Sequence, residues 1–194
     1  PYRGAQSYLE PLKKWEIQPG TPSSRRAIQT QGKVIIVPGS AWPKKNWPIQ
    51  HWIDLLNHQK LRAKSFEILG GGAEKDAAMR ILQAIGSNRA QSFAGQESLD
   101  QTLARIAQAS LVISGDTGLM HAADYLGIPT VAIIGPTAFG HPSRPTSQIV
   151  EMDLPCKPCT KDGSGGCSNA IYQRCLKDVE PVQVLHHIER LHLA

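Results

Sequence analysis

No apolar run in this 194-residue chain is longer than a β-strand, which excludes a transmembrane helix of about 20 residues. No signal-peptide pattern precedes the first elements, so a cytoplasmic rather than a secreted protein is expected. Aromatic residues are few, 6%, which argues against a surface that stacks nucleic-acid bases. Neither the dinucleotide pattern GxGxxG nor a P-loop lysine is present. Acidic residues are scarce in the first third: residues 1–64 hold 11 of the 21 Lys and Arg but 3 of the 16 Asp and Glu, about +8 against about −3 for the remainder. That field suits an anionic small ligand, an anionic membrane surface or nucleic acid. No cysteine falls outside residues 156–175, and the chain opens Pro1-Tyr2-Arg3 without a methionine, as a piece of something larger would.

Hydrophobic residues make up 41% of the chain, enough for one globular domain with an appendage. Residues 1–32 read as a linker and remnant: Tyr8–Trp15 is a short helix or a connector, and Gln18–Gln31 carries two prolines, two serines and the Arg25-Arg26 pair. Regular structure is expected from Lys33 onward, over residues 33–194. Val34–Val37 reads as a buried strand, followed by a loop with Ser40, Lys44 and Lys45 that suits phosphate, and then a helix with Pro48 at its first position. Phe66–Leu69 is the next strand, Gly70-Gly71-Gly72 a close-approach turn, and Glu74 either a first-turn acid or a carboxylate for a ribose. Ala90–Phe93 is an edge or central strand, and Ser98-Leu99-Asp100-Gln101 matches a capping box. A last helix is expected over 181–193, its apolar positions Val184, Leu185, Ile188 and Leu191 facing inward.

The chain is organised around Leu111–Thr137, which reads as strand, turn, helix, strand. Leu111–Ser114 and Thr130–Ile134 are short apolar runs, each followed by glycine, and Gly127 and Pro129 stop the helix between them. Repeated βα units with strands buried on both faces predict an α/β fold, a Rossmann-like parallel sheet with helices on both faces. Ligands on such sheets gather beyond the carboxyl ends of strands, where helix amides point outward. Asp116, Thr117 and Gly118 form that turn, and His121 follows one helical turn later. An acid or threonine there is ordinarily an N-cap. A carboxylate, a hydroxyl and an imidazole together suit a polyhydroxylated ligand carrying phosphate.

Cys156, Cys159, Cys167 and Cys175 lie on a loop, 154–177, with too little apolar content to fold alone. Three readings stay open: a structural Cys₄ zinc site, for which CxxC is the usual first half and the wider second spacing is atypical; disulfides, disfavoured in a reducing compartment; and free thiols. In each the cysteines brace this loop rather than touch the ligand.

PGSAWPKKNWP at 38–48, GGGAEKD at 70–76 and SGDTGLMHAADYLGIPTVAIIGPT at 114–137 together resemble glycosyltransferase family nine, the lipopolysaccharide heptosyltransferases, and a similar CxPC…C…C insertion occurs in many members. The resemblance implies one half of a GT-B glycosyltransferase, the carboxyl-terminal, nucleotide-sugar-binding domain. Such an enzyme transfers heptose from ADP-heptose to a lipid-linked saccharide acceptor, works in the cytoplasm or peripherally on the inner membrane, and needs no cofactor for transfer. By the same resemblance Ser40 and Lys45 hold the donor diphosphate, Glu74 the ribose, and Asp116, Thr117, Gly118 and His121 border the sugar and its phosphates. The catalytic base is expected in the amino-terminal domain, outside this chain. Ala41-Trp42-Pro43 replaces the more polar residues common in that loop. Rival readings are a GT-B transferase or epimerase using another nucleotide sugar, and a non-enzymatic nucleic-acid-binding module with a Cys₄ site.

Overall fold

The computed structural model describes residues 33–138 and 140–191. The expectations for 1–32 and for His192 and Leu193 lie outside the described residues. Six strands, β1 (Val34–Val37), β2 (Phe66–Ile68), β3 (Ala90–Ser92), β4 (Leu111–Gly115), β5 (Thr130–Ile134) and β6 (Ser147–Glu151), form a sheet ordered β3-β2-β1-β4-β5-β6. Every pairing is parallel. The helices are α1 (Ile49–Asn57), α2 (Lys75–Ile85), α3 (Leu99–Ile106), α4 (Gly118–Tyr125), the single turn α5 (Arg174–Lys177) and α6 (Pro181–Arg190). None among the described residues is long and apolar enough to cross a membrane.

The uninterrupted apolar strands follow from burial on both faces. In β1, Val34 and Ile36 join a core with α1, α2 and α6, while Ile35 and Val37 join a second with α3 and α4. The first core holds Trp52, Leu55 and Leu56 of α1, Ile81 of α2 and Val184, Leu185 and Ile188 of α6. Trp47 and Trp52 meet edge to face at 5.0 Å, and the Trp47 indole donates to the Val179 carbonyl at 2.9 Å. This hydrogen bond ties the loop before α1 to the residue just ahead of α6.

Three local expectations are refined. Pro48 is the N-cap of α1, with φ −53° and ψ 134°, so the helix begins at Ile49. β3 is an edge strand, paired with β2 alone, which accounts for its polar composition. The last helix ends at Arg190 rather than running to 193. The capping box at Ser98 forms as expected: Ser98 accepts from the Gln101 amide, and the Gln101 side chain accepts from the Ser98 amide.

The position of the site follows from the strand order. β2 and β4 flank β1 on opposite sides, so the connections after β1 and after β4 diverge and leave a crevice at their carboxyl ends. The loops at 38–48, 69–74 and 115–118 open into it.

Candidate functional site

A cleft of about 570 Å³ occupies this crevice. It brings together residues far apart in the chain: Ser40 and Lys45 after β1, Glu74 after β2, and Asp116, Thr117 and Gly118 after β4 all line it. His121 does not line it and reaches it through Asp116. Leu99, Leu103 and Leu119 add apolar surface to the lining of the cleft, which sequence reasoning missed because those leucines read as ordinary helix stripes.

The electrostatic centre is Asp116. Lys45 Nζ stands 2.9 Å from Asp116 Oδ2, with both side chains about nine-tenths buried. Thr137 donates its hydroxyl to the same oxygen at 2.6 Å, and His121 Nε2 is 3.6 Å from Oδ1. Burial alone raises the Asp116 pKa, but the hydrogen bonds from His121, Lys45 and Thr137 and the Lys45 charge outweigh it, so the carboxyl lies well below the usual carboxylate range. Thr137 was read from sequence only as part of the GPT turn. Its proximity to Asp116 comes from the pairing of β4 with β5.

The remaining residues divide by what their side chains touch. The Ser40 hydroxyl lies 2.9 Å from the Trp42 carbonyl and 3.0 Å from Asn46 Oδ1, and the Ser40 amide donates to that same Asn46 oxygen at 2.7 Å. Ser40 and Asn46 thus close the 40–46 loop on itself. The Thr117 hydroxyl is the N-cap of α4, accepting from the Met120 amide at 3.2 Å and lying 3.1 Å from the Ser114 hydroxyl. What α4 presents to the cleft is its first turn, at Gly118 and Leu119, whose amides have no intrahelical acceptor and lie at the positive end of the helix dipole. Glu74 is buried and makes no side-chain cap to α2. It packs against Gly39 and Gly70, where an added Cβ would come within 2.7 Å of its side chain, so these glycines let the carboxylate sit between the two loops.

Adjacent lysines part company here. Pro43–Lys45 form a 3₁₀ turn that aims Lys45 into the cleft and Lys44 away from it. Lys44, grouped with Ser40 and Lys45 as a phosphate-binding residue on sequence alone, instead donates to the carbonyls of Ser164, Gly165 and Gly166 at 2.7, 3.1 and 2.8 Å. These carbonyls belong to the cysteine loop. Cys156, Cys159 and Cys167 are half-buried, Cys175 is buried, and no disulfide joins any two of them. Burial pushes the Cys175 thiol up to about 11, while backbone hydrogen bonds from Gln173 and Asn169 bring the Cys167 thiol down. Cys175 lies near enough to Cys156, Cys159 and Cys167 to feel all three, although no group of three His, Cys, Asp or Glu side chains among the described residues is already arranged to hold a metal ion. No cysteine lines the cleft, but the loop itself packs against the Lys45 turn, so it is not remote from the site.

A parallel sheet of this order, with a carboxylate–ammonium pair and a helix N-terminus at its switch point, defines a Rossmann-like unit. The sequence pattern of Glycosyltransferase family 9 (heptosyltransferase) matches residues 5–166, and the chain belongs to that family. Lipopolysaccharide heptosyltransferase 2 of Escherichia coli K12 is 28% identical over 161 residues, covering 79% of this chain and 45% of that protein. The structure of E. coli ADP-heptose lipopolysaccharide heptosyltransferase II superposes with a TM-score of 0.70 at 23% identity, covering 97% of this chain and 51% of that one. The dodecameric iron-containing heptosyltransferase TibC in complex with ADP-D-β-D-heptose gives a TM-score of 0.64 at 21% identity, covering 89% and 48%. The chain therefore spans about half the length of the relatives it matches.

Proposed function

We propose that this chain is the donor-binding half of a glycosyltransferase that moves heptose from ADP-heptose to a lipopolysaccharide core acceptor. The observation that carries the reading is the convergence of Lys45, Asp116 and the first turn of α4 in one cleft, whose lining also includes Leu99, Leu103 and Leu119, apolar surface that suits a nucleobase. Glu74, which lines the same cleft and packs against Gly39 and Gly70, is assigned to the donor ribose. In transfer, an acceptor hydroxyl attacks the anomeric carbon, the bond from that carbon to the diphosphate oxygen breaks, and ADP departs with the electron pair. Negative charge grows on the leaving diphosphate. The Lys45 ammonium and the α4 amides supply preorganised positive potential there, which is worth most in a water-poor site. The acceptor proton goes to a base in the complementary amino-terminal half, which also carries the acceptor site. Transfer on this plan needs no cofactor. The enzyme is expected in the cytoplasm, meeting its lipid-linked acceptor at the surface of the inner membrane.

The zinc reading of Cys156, Cys159, Cys167 and Cys175 stands as a separate proposal that rests on their spacing. No step of transfer runs through it. Because TibC is iron-containing, metal analysis should cover iron as well as zinc.

Calorimetric titration tests the donor assignment. ADP and ADP-heptose should bind this chain at least tenfold more tightly than UDP or UDP-sugars. Tighter binding of a uridine nucleotide would replace the ADP-heptose reading with the reading of a transferase or epimerase using another nucleotide sugar. Affinity for DNA that falls steeply with salt, with none for nucleotides, would replace it with the nucleic-acid module.

A further inference from the structure

We infer that Lys44 is a positioning residue for the donor site: it fastens the cysteine loop across the Lys45 turn and thereby fixes the geometry of the Lys45–Asp116 pair. The inference rests on the proposed donor-binding role of Lys45. Lys44 is 3% exposed, and its three carbonyl acceptors use the three N–H donors of an ammonium group. A buried cation satisfied in this way is held rigidly, because release would leave both the charge and three carbonyls without partners. Within the 154–177 loop the Lys44 acceptors are consecutive, so a single side chain fixes a whole turn of backbone.

The same loop reaches both halves of the Lys45–Asp116 pair. On one side Gly163, at φ +108°, presses on the Lys45 turn: a Cβ there would lie 2.7 Å from Lys45 Cδ and 2.7 Å from Trp42 Cβ. The Gln173 side chain also donates, through Nε2, to the Pro43 carbonyl at 2.7 Å. On the other side Cys159 donates its amide to the Pro136 carbonyl at 3.1 Å, and Thr160 pairs with Thr137 in a parallel bridge. Thr137 is the residue that holds Asp116 Oδ2. The loop therefore spans from the stem of Lys45 to the support of Asp116, and Lys44 is the charged fastening between them. Its role is neither phosphate contact nor general stability alone.

The test compares the unmodified chain with Lys44→Met, Lys44→Arg and Gly163→Ala, using ADP and adenosine binding together with hydrogen exchange of the ligand-free protein. Lys44→Met should weaken ADP binding about tenfold and adenosine binding less than twofold, because only the phosphate side is displaced. Lys44→Arg should recover part of the loss, and Gly163→Ala should reproduce it by displacing the Lys45 stem. In a Lys45→Ala background Lys44→Met should cause no further loss. Without ligand, Lys44→Met should speed exchange at 40–47 and at 135–138 as well as in the cysteine loop. ADP affinity within twofold of the unmodified chain, equal loss for ADP and adenosine, or faster exchange confined to 160–166 would each overturn the inference. Failure of the unmodified chain to bind ADP would overturn the donor reading instead, and the exchange measurements would still decide the role of Lys44.

Discussion

Replacing Lys45 with alanine removes a charge that faces two ways, and the two consequences can be separated. Toward the ligand, the loss is that of a hydrogen bond to a charged group, about 1.5–3 kcal/mol, or roughly ten- to hundredfold in the dissociation constant for ADP. Toward the fold, the substitution leaves Asp116 without its counter-ion at 2.9 Å, in a site where its side chain is 9% exposed. Breaking a fully buried pair costs about 3–5 kcal/mol. Here Thr137 and His121 remain as partners and the cleft admits water, so about 1–3 kcal/mol is expected. The double variant Lys45→Ala/Asp116→Asn removes the stranded charge. It should regain most of the lost stability and none of the lost affinity. Urea denaturation and calorimetry with ADP measure the two quantities on the same protein. A single variant that binds ADP within twofold of the original would reduce Lys45 to a counter-ion for Asp116, and a double variant no more stable than the single one would refute the electrostatic account.

Asp116→Asn also changes the response to acid. A carboxyl held below its usual range contributes stability that is complete above its unfolded value, about 3.9, and is lost as pH falls through the folded value; the stability advantage of the parent chain over the variant should therefore shrink below about pH 4, and an advantage that stays constant down to the acid transition would contradict it. Glu74→Gln should weaken ADP more than 2′,3′-dideoxy-ADP, because the carboxylate is assigned to the ribose; equal losses would return Glu74 to a packing role. Metal analysis and thiol labelling on protein prepared under reducing conditions should find one zinc per chain and protected thiols, whereas four reactive thiols, Cys167 first and Cys175 last, would identify a metal-free loop. The purified chain should bind ADP-heptose without transferring it, since base and acceptor site are assigned elsewhere; turnover by these residues alone would place the base within them.

Much of this molecule is written locally. The runs at Val34–Val37, Leu111–Ser114 and Thr130–Ile134 announce strands buried on both faces, since nothing polar interrupts them. Ser98 and Gln101 announce their capping box, because such caps join residues three apart. The parallel sheet follows from alternating strands and helices, and with it the expectation that the turns after β1 and β4 carry the ligand. Ser40, Lys45, Asp116, Thr117 and Gly118 were legible from those turns and Glu74 from the turn after β2, and all six line the cleft. Their exact duties were not: the hydroxyls of Ser40 and Thr117 are occupied by loop closure and helix capping, a competition that sequence leaves undecided. What only the tertiary structure decided is who meets whom across the chain. Lys44 and Lys45 are chemically alike and adjacent, and nothing in the sequence separates them. A 3₁₀ turn sends one to Asp116, 71 positions onward, and the other to a row of carbonyls some 120 positions onward. Thr137 reached Asp116 the same way, through strand pairing rather than proximity in sequence. Local pattern depends on neighbours within a few residues and is readable in one dimension; a charge finds its partner only after the chain has closed its long loops, and that pairing is a property of the fold.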